Sequence, residues 1–125
     1  GKMVRDFTYV DDIVESVFRL VDKIPEADNT WNPQSPQPNS SNCPFRIINV
    51  GNNQPVELMQ FIDAIEQALD EKAKINYLPL QVGDVPHTFA DVDELIKMTN
   101  FKPSTSVETG VNLFVNWYRD YYRIK

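Results

Sequence analysis

Cysteine and histidine are almost absent from this sequence. Its 125 residues include one cysteine, Cys43, and one histidine, His87. A single cysteine excludes an internal disulfide, and neither residue has a Cys or His partner at the spacing of a metal site. We therefore expect no bound metal, and we interpret the chain as part of a cytoplasmic protein.

Positive charge and long apolar runs are also scarce. Twelve Lys and Arg residues stand against 18 Asp and Glu residues, which gives a formal net charge of −6. Nucleic-acid binding relies on clustered basic residues that displace counterions, so this composition argues against a nucleic-acid partner. The apolar runs are only a few residues long, whereas a membrane span needs about 20, so we expect no membrane partner either.

Glycine is sparse, and the motifs of several enzyme classes are missing. The chain has four glycines and no glycine-rich phosphate loop. Tyr118 is followed four residues later by Tyr122 and not by Lys, and the sequence has no Ser/His/Asp constellation. We expect no catalytic residue and no NAD-binding residue in this chain.

The remaining pattern predicts an α/β fold with alternating strands and helices. Apolar residues recur at helical spacing over about 12–23 and 56–70, in a short helix after Asp91 and in a last helix after Ser106. Strands are predicted near Val4, over 45–50, where the run is nearly continuously apolar, and over 75–79. With 42% apolar residues, the chain is long enough for one core and too short for two, so it forms one domain.

Residues 25–44 interrupt this pattern with prolines among Asn, Gln and Ser. Such a stretch buries little apolar surface, so we interpret it as a long, partly mobile surface loop. A ligand for a proline-recognition domain is the alternative interpretation.

Two positions could carry binding chemistry. Arg5, at the start of the first strand, presents a planar fork of donors that suits phosphate oxygens, although an ordinary surface ion pair explains its spacing at least as well. Asp84 follows Gly83 in a loop and could accept hydrogen bonds from a sugar diol, although Gly-Asp is also a common turn.

Four segments together resemble a known family: residues 1–13 with the Arg-Asp-Phe motif, 49–52, 78–85 and 89–91. They resemble the C-terminal part of extended short-chain dehydrogenase/reductase nucleotide-sugar epimerases. The Leu-Pro-x-Gln-x-Gly-Asp-Val loop is most similar to that of UDP-glucuronate 4-epimerases. The resemblance covers almost the whole chain except the proline-rich loop.

The resemblance implies that residues 1–125 are one substrate-binding segment, the C-terminal fragment of a Rossmann-type enzyme. It assigns Arg5 to the UDP phosphates and Asp84 to the uridine ribose. Gln81 stands where relatives often have Arg, and it would make a weaker, neutral contact. Phe7 and Thr88 occupy positions that can line the pocket. The NAD-binding glycines and the catalytic Tyr/Lys pair lie upstream in the family.

The implied activity is interconversion of UDP-glucuronate and UDP-galacturonate, through oxidation and re-reduction at C4 with NAD. On this hypothesis the missing N-terminal Rossmann portion is a partner, and the fragment alone is inactive and binds no NAD. We also expect self-association into a homo-oligomer, because a strand over 45–50 would leave an uncovered sheet edge. The alternatives are another nucleotide-sugar epimerase or dehydratase, and a free-standing, non-catalytic binding or assembly domain.

Overall fold

The computed structural model describes residues 1–124. They form four helices and one short antiparallel sheet, which are joined by loops. In chain order the elements are β1 (Val4–Arg5), α1 (Val10–Leu20), β2 (Val56–Glu57), α2 (Leu58–Leu69), α3 (Asp93–Thr99) and α4 (Val107–Tyr122). None of the helices within these residues combines the length and the apolar character that crossing a membrane requires.

The core lies between α2 and α4. Val107, Val111 and Val115 are spaced four residues apart, so they share one face of α4 and are buried against Ala64 of α2. Ser106 caps α4 as its spacing predicts, since its hydroxyl accepts a hydrogen bond from the backbone N–H of Thr109 at 3.2 Å.

The first helix is oriented with its polar face inward. Asp12 and Ser16 are buried beside α3, whereas Val14, Val17 and Phe18 are each more than half exposed. Asp12 does not cap the helix, which begins at Val10. Its carboxylate instead accepts hydrogen bonds from two backbone N–H groups just before α4, those of Ser104 at 3.2 Å and Thr105 at 2.9 Å.

The short strand β1 is held on both edges. It pairs with β2 in antiparallel register, with Val4 opposite Glu57 and Arg5 opposite Val56. On its other edge, the N–H of Val4 donates to the carbonyl of Pro86 at 2.9 Å, and the N–H of Thr88 donates to the carbonyl of Val4 at 3.1 Å. This arrangement brings the segment before Thr88 next to the start of the chain.

Two predicted strands are not formed. Within residues 1–124, the segments 45–50 and 75–79 belong to no sheet, and 45–50 has only an isolated bridge between Arg46 and Ser40 and a bond from Ile47 to the Asn39 carbonyl. A strand exists only when a second strand supplies the other half of the hydrogen-bond ladder. Apolar composition predicted the strand, but it could not supply this partner.

Residues 25–44 contain no helix or strand, and Asp28 organises their local structure. Its carboxylate accepts hydrogen bonds from the hydroxyl and the backbone N–H of Thr30 and from the hydroxyl of Ser40, and it lies 3.9 Å from the Arg46 guanidinium. These donors, the Thr30 hydroxyl above all, hold the pKa of Asp28 below its ordinary value.

An ion pair closes the C-terminal end of α2. The carboxylate of Glu66 accepts from the Lys72 ammonium and, at 2.9 Å, from the backbone N–H of Ala73. The contact with Lys72 is the main reason that the pKa of Glu66 is lowered, and it raises the pKa of Lys72 in turn. The chain turns here through Asp70, which adopts a left-handed conformation.

Replacing Asp12 with Ala is expected to destabilise the protein by about 1–3 kcal/mol, because two backbone donors near the start of α4 lose a shared acceptor. Asp11→Ala is the matched control, since Asp11 is exposed on the same turn. Urea unfolding followed by circular dichroism measures both variants. Equal midpoints for the two would contradict the structural role of Asp12.

Candidate functional site

Arg5 and Asp84 meet although 79 residues separate them in the sequence. One Nη atom of Arg5 lies 2.7 Å from the Asp84 carboxylate, and the two side chains are 20% and 38% exposed. The guanidinium also donates to the carbonyl of Val4 at 3.1 Å and contacts the sulfur of Met3 at 3.2 Å. The structure therefore brings together a cation and a carboxylate at an accessible position.

A tight turn presents Asp84. Its backbone N–H donates to the carbonyl of Gln81 at 3.1 Å. Gly83 has a φ of 91°, a conformation that residues with a Cβ rarely adopt, and its α-carbon faces open space. The turn therefore places Gln81 and Asp84 side by side, with the glycine providing the change of direction between them.

An open cavity of about 920 Å³ adjoins this turn. This volume is within the usual range for small-molecule sites. Gln81 and Asp84 supply polar groups, and much of the remaining wall is apolar, including Met3, Leu58, Met59, Ile62, Ile75, Tyr77, Leu78 and Leu80. The hydroxyl of Tyr77 lies 3.8 Å from the sulfur of Met59. The cavity thus combines an apolar wall with charged and neutral polar groups, which include Lys2 and Asn76 as well.

Phe7 and Thr88 do not line this cavity, and their role as pocket lining stays a prediction. The ring of Phe7 stacks on Phe61 with centroids 4.2 Å apart, and it lines a separate groove between α2 and α4 because its apolar surface joins the core there. The Thr88 hydroxyl accepts from the backbone N–H of Asp6 at 3.1 Å, so it ties two segments together.

Asp6 is the residue of this region whose importance sequence reasoning missed. Its carboxylate accepts three backbone hydrogen bonds, from Asn53 at 3.0 Å and from Gln54 and Ala90 at 3.2 Å. The signal available in the sequence was its position between Arg5 and an aromatic residue. Nothing in the spacing showed that two later loops would converge on it.

The four glycines of the chain do not fit a dinucleotide such as NAD. A phosphate-binding glycine leaves its backbone open to the ligand at the start of a helix. Three of these glycines instead face side chains, because an added Cβ would lie 2.3 Å from Ala90 at Gly51, 2.9 Å from Tyr77 at Gly1 and 3.1 Å from Tyr9 at Gly110. Gly83 lies in the Gln81–Asp84 turn, which no helix follows directly.

Comparison of sequences identifies clear relatives, although no family model matches the chain. It is 51% identical over 123 residues to the protein CapI of Staphylococcus aureus, covering 98% of this chain and 37% of that protein. It is 50% identical over 124 residues to the "Probable UDP-glucuronate 4-epimerase" of Rhizobium meliloti strain 1021, covering 98% of this chain and 36% of the relative. The chain thus spans little more than a third of these curated relatives.

Comparison of structures identifies the same fold in solved enzymes. The Bacillus cereus UDP-glucuronic acid 4-epimerase, solved with UDP-glucuronic acid and NAD, has a TM-score of 0.74 at 20% identity, over 98% of this chain and 34% of that one. The Thermotoga maritima UDP-glucose 4-epimerase, solved with UDP-glucose, has a TM-score of 0.73 at 22% identity, over 98% and 33%. These likenesses show that the fold is a C-terminal part of the Rossmann-type epimerase fold. By sequence, the chain corresponds to the C-terminal portion of UDP-glucuronate 4-epimerase-like proteins.

Proposed function

We propose that this chain is the UDP-sugar-binding part of a cytoplasmic nucleotide-sugar epimerase that interconverts UDP-glucuronate and UDP-galacturonate. The observation that carries the proposal is the contact of Arg5 with Asp84, which belongs to the wall of the cavity of about 920 Å³. A guanidinium beside a carboxylate suits a ligand that carries both phosphate oxygens and ribose hydroxyls. The names of the relatives support the choice of sugar.

The two charged groups divide the recognition of UDP between them. The guanidinium of Arg5 donates to the diphosphate, and the contacts with Val4 and Met3 hold its plane in place beforehand. The carboxylate of Asp84 accepts hydrogen bonds from the ribose hydroxyls. Gln81, in the same turn, offers a neutral amide to the same end of the ligand.

The chemistry at C4 of the sugar is assigned to residues outside this chain. The glycines do not fit NAD, and the resemblance places the catalytic Tyr/Lys pair upstream of the matched segment. The role of the chain is therefore to hold UDP firmly while the sugar remains free to turn between two reactive orientations. On this proposal, the 125 residues alone are inactive and bind no NAD.

Replacing Arg5 with Ala in the complete enzyme is expected to weaken UDP binding roughly 10- to 150-fold, because a charge-assisted hydrogen bond of about 1.5–3 kcal/mol is lost. Arg5→Lys is expected to restore only part of the affinity, since an ammonium lacks the planar fork. Isothermal titration calorimetry with UDP measures each variant.

The control for Arg5 is Arg123→Ala, which removes the same charge from an exposed position after α4. It is expected to bind UDP like the unaltered enzyme. Equal affinity in Arg5→Ala and Arg123→Ala would refute the role of Arg5 at the diphosphate.

Replacing Asp84 with Asn is expected to weaken UDP-sugar binding about tenfold, since a neutral amide is a poorer acceptor for hydroxyl groups. The dependence of turnover on pH should keep its position, because Asp84 binds ribose and transfers no proton. Steady-state kinetics across pH measure both quantities. A displaced limb of the pH–rate profile would instead make Asp84 an acid or base in the reaction.

We also propose that the protein forms a homo-oligomer. Val14, Val17 and Phe18 expose an apolar face on α1, and apolar patches of this kind commonly mark interfaces. Size-exclusion chromatography of the 125-residue chain with light scattering is expected to give a mass above that of one protomer. Phe18→Lys should shift it toward the monomer, whereas Val82→Lys, on a fully exposed loop position, should not. A monomer at high concentration would contradict the proposal.

A further inference from the structure

Asp6, the residue after Arg5, connects three separate segments of the chain. It follows Arg5 directly, so its backbone continues β1. Its carboxylate binds the backbone N–H groups of Asn53 and Gln54, just before β2, and that of Ala90, after the Gln81–Asp84 turn. Three backbone donors on one carboxylate form a fixed junction rather than a flexible surface contact.

The same residue also fixes the segment between Asp84 and Ala90 through its main chain. The N–H of Asp6 donates to the Thr88 hydroxyl at 3.1 Å, and the N–H of Thr88 donates to the carbonyl of Val4 at 3.1 Å. The segment that carries Asp84 is therefore attached to β1 at Pro86, at Thr88 and at Ala90. Two of these three attachments involve Asp6.

The fit around this junction is close. A Cβ added at Gly51 would lie 2.3 Å from the Ala90 Cβ and 3.2 Å from the Asp6 carboxylate. Ala90 therefore has little room to move toward Gly51. The hydrogen bond from its backbone N–H to the Asp6 carboxylate also holds it in place. Neither Asp6 nor Ala90 lines the large cavity.

We propose that Asp6 is a positioning residue for nucleotide binding, which sets the separation of Arg5 and Asp84 by attaching the Asp84 segment to β1. The inference rests on the proposed function, because it assigns Arg5 and Asp84 to UDP. A charged pair must meet the diphosphate and the ribose together, and small displacements of such groups are costly. Asp6 acts through those two residues and does not touch the ligand.

The test compares Asp6→Asn with Asp120→Asn in the complete enzyme, using UDP calorimetry and steady-state kinetics. Asn keeps the shape of Asp but places an amide donor among backbone donors. We expect Asp6→Asn to bind UDP about tenfold more weakly at full stoichiometry, with KM raised and kcat nearly unchanged. Asp120 is exposed on α4, so its variant should match the unaltered enzyme.

A merely structural role would give a different result. Lost folding would lower the binding stoichiometry and kcat and leave the affinity of the folded fraction unchanged, which would overturn the proposal. Because Asp6→Asn could fold poorly, Thr88→Val is the second variant. It removes the hydroxyl acceptor at nearly constant shape and is expected to weaken UDP binding in the same direction, by less.

A double-mutant cycle tests whether Asp6 acts through the charged pair. In an Arg5→Ala/Asp84→Asn background, Asp6→Asn should lose most of its effect on UDP affinity. A full, additive effect there, or unchanged affinity in both Asp6→Asn and Thr88→Val, would overturn the proposal. If the unaltered enzyme bound no UDP, the proposed function itself would fail, and that outcome is distinct from a variant that binds normally.

Discussion

The hydrogen bonding of β1 on both edges is the constraint on which this structure depends. The strand has only two residues, Val4 and Arg5, yet it joins β2 on one side and the segment that ends at Thr88 on the other. These bonds close a chain separation of about 80 residues, a loop whose closure is unfavourable in entropy. The Arg5–Asp84 contact exists because these backbone bonds, and those to Asp6, have already met that cost.

The burial of polar groups follows the same logic elsewhere in the fold. Asp12 and Asp6 are acidic residues whose carboxylates accept hydrogen bonds from backbone N–H groups of distant segments. Such carboxylates connect loops that have little apolar surface of their own. The helical core between α2 and α4 supplies hydrophobic stabilisation, and the carboxylates determine how the loops attach to it.

Helix periodicity made much of the helical structure predictable. The pattern over 56–70 corresponds to α2, and the Ser106 signal gives the start of α4 correctly. Asn100, at the end of α3, adopts the left-handed conformation of a helix terminus. The strands were harder to predict from the sequence, because strand pairing depends on two segments and not on one. The apolar run at 45–50 predicted a buried strand, and within residues 1–124 it has no sheet partner.

The candidate site was only partly accessible from the sequence. From spacing alone, Arg5 was explained at least as well by an ordinary surface ion pair, and Asp84 by an ordinary Gly-Asp turn. Only the resemblance of the surrounding motifs to a known family singled out both residues as binding groups. Their contact is in the structure, and their roles toward UDP stay predictions. Phe7 joins the core because an aromatic ring gains more from stacking on Phe61 than from an open cavity. The role of Asp6 could not be predicted from its position beside Arg5, since its partners are backbone groups of remote loops.

A crystal structure of the complete enzyme with UDP tests the central claim most directly. The account predicts electron density for the nucleotide in the cavity beside the Gln81–Asp84 turn. The diphosphate should lie within hydrogen-bond distance of the Arg5 guanidinium, and the ribose hydroxyls should lie against the Asp84 carboxylate. A nucleotide bound elsewhere, or one bound in the cavity with Arg5 and Asp84 contacting only each other, would contradict it.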